Sequence, residues 1–227
     1  MNERVRTALA QLEEAREALL EFADGVWQSI DNRDNEQVQK KVPFVTACND
    51  KLVALGRLTD DLGALVRGYL GEPVDAEGEA PSTDAERNAR VIRELDRGTP
   101  HTIDEVFSYK RPYGFKLRGR AAKDIRTWRR LYALVCLQLA ELAPATFVAL
   151  PDDPQFTTPQ GHRAFSRSRA DLRSALLLRD GIYAEAHYSA NAFARNMRRL
   201  LAAFRVNPNE LTIYLRQDRD AGRDEVA

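Results

Sequence analysis

Nine lysines and arginines fall between residues 110 and 130, against a single acid, Asp124. They are Lys110, Arg111, Lys116, Arg118, Arg120, Lys123, Arg126, Arg129 and Arg130. Guanidinium and ammonium groups at this density suit the neutralisation of phosphate oxygens along a nucleic-acid backbone. A second set, Asn191, Arg195 and Arg198, stands at i, i+4 and i+7, away from the apolar side formed by Phe193, Met197 and Leu200. If the two sets share a face, they make a backbone-binding patch. The competing readings are a solvated arginine face, or one that pairs with acids of the same chain or of a partner.

No other grouping reaches a recognisable chemistry. His101, His162 and His187 lack metal-ligand spacing. Cys48 and Cys136 lie in apolar helical contexts, so both are expected to be reduced and buried, without a zinc site or a disulfide framework. The phosphate-binding glycine loops and the common hydrolase motifs are absent from the sequence. Asp171, Asp180 and Glu185 fall near expected strand ends, and a metal-dependent nuclease would need two or three such carboxylates to converge. Asp180 and Glu185 lie five apart across an expected strand, which works against convergence. Arg97 and His101 are separated by Gly98-Thr99-Pro100, which breaks the helix an Arg–His ribonuclease site requires. No catalytic residue, metal or cofactor is expected.

The elements that would position these cations divide the chain. Its 34 basic and 34 acidic residues split unevenly, 13 against 20 in residues 1–100 and 21 against 14 in residues 101–227. An acidic first half and a basic second half suggest two units with different tasks. A composition 44% hydrophobic and 30% charged, with mean hydropathy −0.48, excludes a mostly disordered chain and an integral helical membrane protein. With no apolar signal core at the start, a cytoplasmic location and no membrane partner are expected.

Residues 1–97 read as helical. Across 3–41, Val5, Leu9, Leu12, Leu19, Phe22, Val26 and Ile30 form a stripe, with Glu13, Glu14, Arg16, Glu17 and Glu21 on the other face. Pro43 is expected at a break or in the first turn of the next helix, followed by a second pattern of Leu52, Leu55, Leu58, Leu62, Leu65, Val66 and Tyr69. These two helices form an antiparallel hairpin that buries Leu9, Leu12, Leu19, Leu55, Leu58 and Leu62, between themselves or across a chain–chain interface. An acidic loop spans 71–83, and Ser82 or Thr83 caps a short helix to Asp96, with Glu86 in capping-box position.

Residues 98–216 read as a basic α+β domain with a small, mostly antiparallel sheet and two main helices. Strands are expected at 105–109, 113–117, 162–166, 181–188 and 211–215. A helix over 123–142 buries Ile125, Trp128, Tyr132, Val135, Leu139 and Leu142, and carries Lys123, Arg126, Arg129 and Arg130 opposite. A proline-rich loop covers 151–160. Ser189 caps a helix over 190–204, with Asn191 facing out, and a turn at 207–209 leads into the last strand. Residues 217–227 read as a frayed polar tail.

The second half carries a run of familiar features: Phe115-x-Leu117-x-Gly119, then Trp128 opening a helix with Cys136 and Leu139, then Pro144 and Phe147. Gly161-x-Arg163-x-Phe165-Ser166 follows, then Gly181-Ile-Tyr-Ala-Glu-Ala-His-Tyr-Ser-Ala-Asn191, Leu200-Leu201, Phe204 and Leu211-x-Ile213-Tyr214-Leu215. Over residues 105–216 this resembles a small domain at the ends of bacterial and archaeal proteins associated with restriction and anti-phage loci. His187-Tyr188 stands where that family favours a polar pair. The resemblance implies an accessory or recognition module, not an enzyme.

The leading reading is therefore a non-enzymatic binding module of a prokaryotic defence or DNA-transaction system. Its basic domain would contact nucleic acid, DNA ahead of RNA, and its hairpin would mediate assembly by coiled-coil-like self-association or with a protein partner. The runner-up is an adaptor with no nucleic-acid role whose basic face docks an acidic partner. The third is a metal-dependent nuclease.

Overall fold

A computed structural model describes residues 2–70 and 84–218, and the chain forms two compact units. The first comprises Met1–Ala76 with His187–Ser189, and the second Glu77–Ala186 with Ala190–Ala227.

The first unit is a hairpin of α1 (Asn2–Gln28) and α2 (Asn35–Leu70). The turn between them comes from aspartates, not from Pro43, which sits inside α2. Asp31 Oδ1 accepts from the Arg33 amide (2.9 Å), and Asp34 Oδ1 accepts from the Glu36 and Gln37 amides (3.0 and 3.1 Å). Short acidic side chains that bond nearby amides close a turn and start the next helix. Leu20, Ala23 and Leu52 are buried between the helices, with Cys48 and Leu55 packed against them, so Cys48 is only partly buried.

The expected apolar seam is not the buried face. Leu12, Leu19, Leu58 and Leu62 are 39–57% exposed, and Leu9 and Leu55 are half-buried. The face expected to meet solvent, Glu13, Arg16, Glu17 and Glu21, is buried instead. Arg16 is fully enclosed and forks onto Glu13, with Nε donating to Oε2 at 2.9 Å and Nη2 donating to Oε1. Burial pulls against its charge, but Glu13, and then Glu17 and Asp60, outweigh that and hold its pKa above the ordinary guanidinium value.

The second unit is α+β, with α3 (Ala85–Leu95), β1 (His101–Thr102), β2 (Pro112–Leu117), β3 (Arg120–Lys123), α4 (Trp128–Leu142), α5 (Pro144–Ala149), β4 (Phe165–Ser166), β5 (Ala175–Leu177), β6 (Tyr183–Glu185), α6 (Ala190–Ala203) and β7 (Leu211–Leu215). Two antiparallel sheets have the orders β1-β7-β2-β3 and β4-β6-β5. Asp84 caps α3 by accepting from the Glu86 and Arg87 amides. The expected caps Ser82 and Thr83, and the loop over 71–83, lie outside the described residues. The helix α3 packs on β3 and β2, so it belongs with the α+β unit and not with the hairpin.

Three expected elements shift. Residues 105–109 form turns, and the hairpin is β2–β3, closed by Arg118 (φ 47°) and Gly119 (φ 77°). Two consecutive left-handed residues are the geometry a tight hairpin turn requires. Residues 120–123 are therefore strand, and α4 starts only at Trp128, where Thr127 Oγ1 accepts from the Arg130 amide (3.1 Å). The strand expected over 181–188 is confined to β6, and β5 is an additional strand. The start of the expected tail is tied down, with Gln217 bonded to the Arg111 amide and Asp218 to His101; residues 219–227 lie outside the described residues.

Core packing centres on α4, which is buried over most of its length, except that Leu142, expected in the stripe, is exposed at the helix end. Trp128 is fully enclosed, 4.8 Å from the Phe107 ring, and its indole N–H donates to the Lys110 carbonyl (2.9 Å). Tyr132 packs against Phe193 of α6 at 5.3 Å. On the other side of the larger sheet, Val91 and Leu95 of α3 meet Ala121 and Tyr214. Gly114 permits that approach, because a Cβ there would lie 2.7 Å from the Ala122 carbonyl oxygen and 2.8 Å from Leu95. Among the described residues no helix is long and apolar enough to cross a membrane.

Two stability outcomes follow. Trp128→Ala removes a fully buried indole and strands the Lys110 carbonyl, and should cost about 3–5 kcal/mol in chemical denaturation. Gly114→Ala should cost about 1–3 kcal/mol, because the clash is with backbone. A Gly114→Ala chain as stable as the parent would mean that β3 does not approach Gly114 this closely.

Candidate nucleic-acid interface

The twelve residues expected to bind phosphate are separated by the fold into three groups. The first lies on the β2–β3 hairpin and is paired with acids of the same unit. Lys116 meets Asp96, Lys123 meets Glu94, Arg120 meets Glu141, and Arg118 meets Glu210 at 3.2 Å. Two of those acids sit at the C-terminal end of α3, which clamps the hairpin further: Asn88 donates to the Gly119 carbonyl (2.7 Å) and accepts from the Ala121 amide (3.0 Å). Asp96 also accepts from the Tyr214 hydroxyl (3.0 Å), and the Lys116 ammonium lies 5.7 Å from the Tyr214 ring centroid. The hydrogen bond from Lys116 holds the Asp96 carboxyl below the usual range.

The second group, on α4 and α6, is mostly tied into the fold of its own unit. Lys123 ends β3 and Arg126 precedes α4, so neither lies on that helix as expected. On α4, Arg129 donates to Ser174 Oγ (2.8 Å) and to the Ala175 carbonyl (3.4 Å), which ties α4 to β5, and Arg130 is half-buried. Asn191 does not face out. Its Oδ1 accepts from the Phe107 amide and its Nδ2 donates to Ser108 Oγ, both at 2.8 Å. One face of α6 thus straps the 104–108 loop, since Arg198 also pairs with Asp104. Arg195 lies on that same face between these two anchors, is exposed, and makes no ion pair among the described residues.

The third group converges at the open end of the larger sheet. The Arg216 amide donates to the Arg111 carbonyl (2.9 Å), and the Arg216 guanidinium reaches the Arg126 carbonyl (3.4 Å). The Trp128 anchor holds Lys110 beside them. Tyr109 precedes this group, 61% exposed, in left-handed backbone (φ 58°), with its carbonyl accepting from Gln217 (3.3 Å). A non-glycine residue in that region is held there by its surroundings. The segments 109–111, 126–128 and 216–217 thus meet, which brings Lys110, Arg111, Arg126 and Arg216 to the stretch that carries the exposed Tyr109. Arg216 and Tyr109 were not expected at the site; their proximity depends on β7 pairing with β2, which local sequence does not encode.

His101 secures the segment carrying Arg216. Its ring is bracketed by carboxylates, Nδ1 at 2.7 Å from Glu105 Oε2 and Nε2 at 2.7 Å from Asp218 Oδ2. Burial opposes its charge, but the bonds to Glu105 and Asp218 prevail and raise its pKa above the ordinary imidazole value. The bond from His101 likewise lowers the Glu105 pKa.

The carboxylates weighed for a nuclease have separate structural partners. Asp171 accepts from Ser166 Oγ (2.6 Å), and Asp180 pairs with Arg179 (3.2 Å). Glu185 is buried and accepts from the amides of Arg173, Ser174 and Ala186. Among the described residues no three histidines, cysteines or acids gather as a metal ion would need.

The His101 cluster has a defined pH signature. A raised histidine pKa adds stability that is fully present below about pH 6.5 and is lost as pH rises through the folded value. The lowered Glu105 pKa adds stability present above about pH 4.3 and lost as pH falls through its folded value. Urea midpoints should therefore decline from pH 6 to pH 8, and His101→Gln should flatten that decline; an equal decline in the variant would assign it to other groups. Compared with protein-family models, with curated proteins and with solved structures, the chain matches none.

Proposed function

We propose that this chain is a binding module whose α+β unit contacts nucleic-acid phosphates and whose helical hairpin mediates assembly. The observation that carries the reading is the meeting of the segments that carry Lys110, Arg111, Arg126 and Arg216 beside the exposed Tyr109. Cations beside an aromatic face are what a single-stranded or unstacked segment needs: phosphates meet the charges while a base stacks on the ring. Arg195, next to the strapped loop, extends the surface. An accessory role in a defence or DNA-transaction system rests on the resemblance of residues 105–216.

Fluorescence anisotropy with a labelled oligonucleotide over a salt series tests the proposal. Four phosphate contacts, from Lys110, Arg111, Arg126 and Arg216, give a log–log slope of about −3.6 on duplex DNA, and each of Arg111→Ala, Arg126→Ala and Arg216→Ala should flatten it by about 0.9. Tyr109→Ala should weaken single-strand binding by about 1–3 kcal/mol and duplex binding less. A triple-arginine variant that binds with unchanged affinity and slope overturns this surface. Absence of binding to either nucleic acid at low salt, with retention of an acidic protein partner, would favour the adaptor reading.

A further inference from the structure

The α1–α2 hairpin turns outward a face with the spacing of a helix–helix seam. On α1, Ala8, Leu12, Ala15, Leu19, Phe22 and Val26 follow one another at alternating steps of four and three. On α2, Phe44, Ala47, Lys51, Ala54 and Leu58 keep the same spacing, and Leu65 lies one heptad beyond Leu58. Phe22 and Phe44 touch edge to face at 6.2 Å, which places the two rows on one side of the hairpin. Leu12, Leu19, Leu58 and Leu65 are 41–71% exposed, and the four alanines are exposed as well.

We propose that a second copy of this chain covers this face, two hairpins closing into a four-helix bundle. The proposal rests on the reading of the hairpin as an assembly element and names its partner. A 3.5-residue repeat is matched only by other helices, whose side chains enter the holes it leaves. Small and large residues alternate along it, Ala8-Leu12-Ala15-Leu19 on one helix and Phe44-Ala47 and Ala54-Leu58 on the other. That alternation lets large side chains of one helix pack over small ones of the next. Because one face carries both members of the match, it complements itself under a two-fold axis. Between Leu58 and Leu65 the spacing falls on the exposed Asp61, so the α2 row carries one charge of each sign, Lys51 and Asp61, and selects no partner of net opposite charge. With Leu62 and Tyr69 beside the rows, 39% and 83% exposed, the apolar side chains offer on the order of 800 Å². That exceeds the largest patch of a typical monomer, roughly 300–600 Å², and equals the roughly 800 Å² that one partner gives a standard interface.

Sedimentation equilibrium of the full chain from sub-micromolar to tens of micromolar tests this, with circular dichroism as a folding control. The expected result is a dimer of twice the 25.7 kDa chain mass. Leu58→Glu with Leu65→Glu should raise its dissociation constant about a hundredfold or more, at unchanged helicity, since both side chains are already exposed in one copy. Ala15→Leu overfills the seam, should also dissociate it, and adds no charge. A parent chain monomeric throughout overturns the proposal, as does a dimer that both variants leave intact. The assembly reading is judged separately, by whether Leu58→Glu removes the parent chain from larger complexes in an extract of its source cells.

Discussion

Arg16 decides how the hairpin is oriented. A guanidinium with no exposed surface costs several kcal/mol to desolvate unless partners meet it, and removing one partner of such a pair is worse than never having made it. Glu13 supplies a two-pronged contact from the previous turn of the same helix, and Glu17 and Asp60 add negative charge around it. Once α1 is rotated to bring Arg16 and its acids inside, Leu12 and Leu19 have to point outward, because they lie on another sector of the same helix. The apolar cluster of Leu20, Ala23 and Leu52 fits the same rotation. A buried charge network thus selects one helix face, and the more regular apolar face is left for something else.

A second electrostatic economy operates in the α+β unit. The acidic character of residues 1–100 is not confined to the hairpin: its last part, α3, lies on the sheet and meets Lys116 and Lys123 with Asp96 and Glu94. These exposed ion pairs are individually worth at most about 1 kcal/mol. Their larger effect is on the charge map. They quieten the α3 side of the sheet, whereas the segments carrying Lys110, Arg111, Arg126 and Arg216 meet where β2 begins and β7 ends. The Asn88 clamp and the close approach at Gly114 make α3 part of the sheet's architecture rather than a loose appendage.

What was legible in the sequence follows from which forces are local. The 3.6-residue periodicity placed the two long helices, the central helix and α6, and turn chemistry placed the 207–209 turn and β7. The α+β class followed from these. Pro43 misled because packing against α1 carries α2 through it, and the aspartate turn at 31–34 was the stronger signal. The stripe on α1 misled because hydrophobicity was read as burial, although a paired arginine can win the interior. Lys123 and Arg126 were read onto a helix because the Thr127 cap was passed over. At the site, the density of cations between residues 110 and 130 was visible, but their sorting into paired, inward and clustered sets depends on strand pairing across about a hundred residues. Asn191 looked like a surface polar residue, and only the path of the 104–108 loop makes it a clamp.

The two surfaces have a consequence when taken together. Phosphate contacts made by a handful of cations are individually weak and fade with salt, because their driving force is counterion release. A helical seam is the opposite kind of interaction: apolar, salt-tolerant and shape-selective. Joining two copies through it places two cation clusters on one particle, so the second contact forms at the effective concentration set by the first, and avidity can exceed either affinity by about 10²–10⁴ when both clusters can engage. A chain with no net charge overall, 34 basic residues against 34 acidic, lacks a strong general attraction to nucleic acid. Under the proposed reading, local clustering and duplication are the means by which such a chain would hold a polyanion, and both depend on where the buried charges of the hairpin and the acids of α3 are placed.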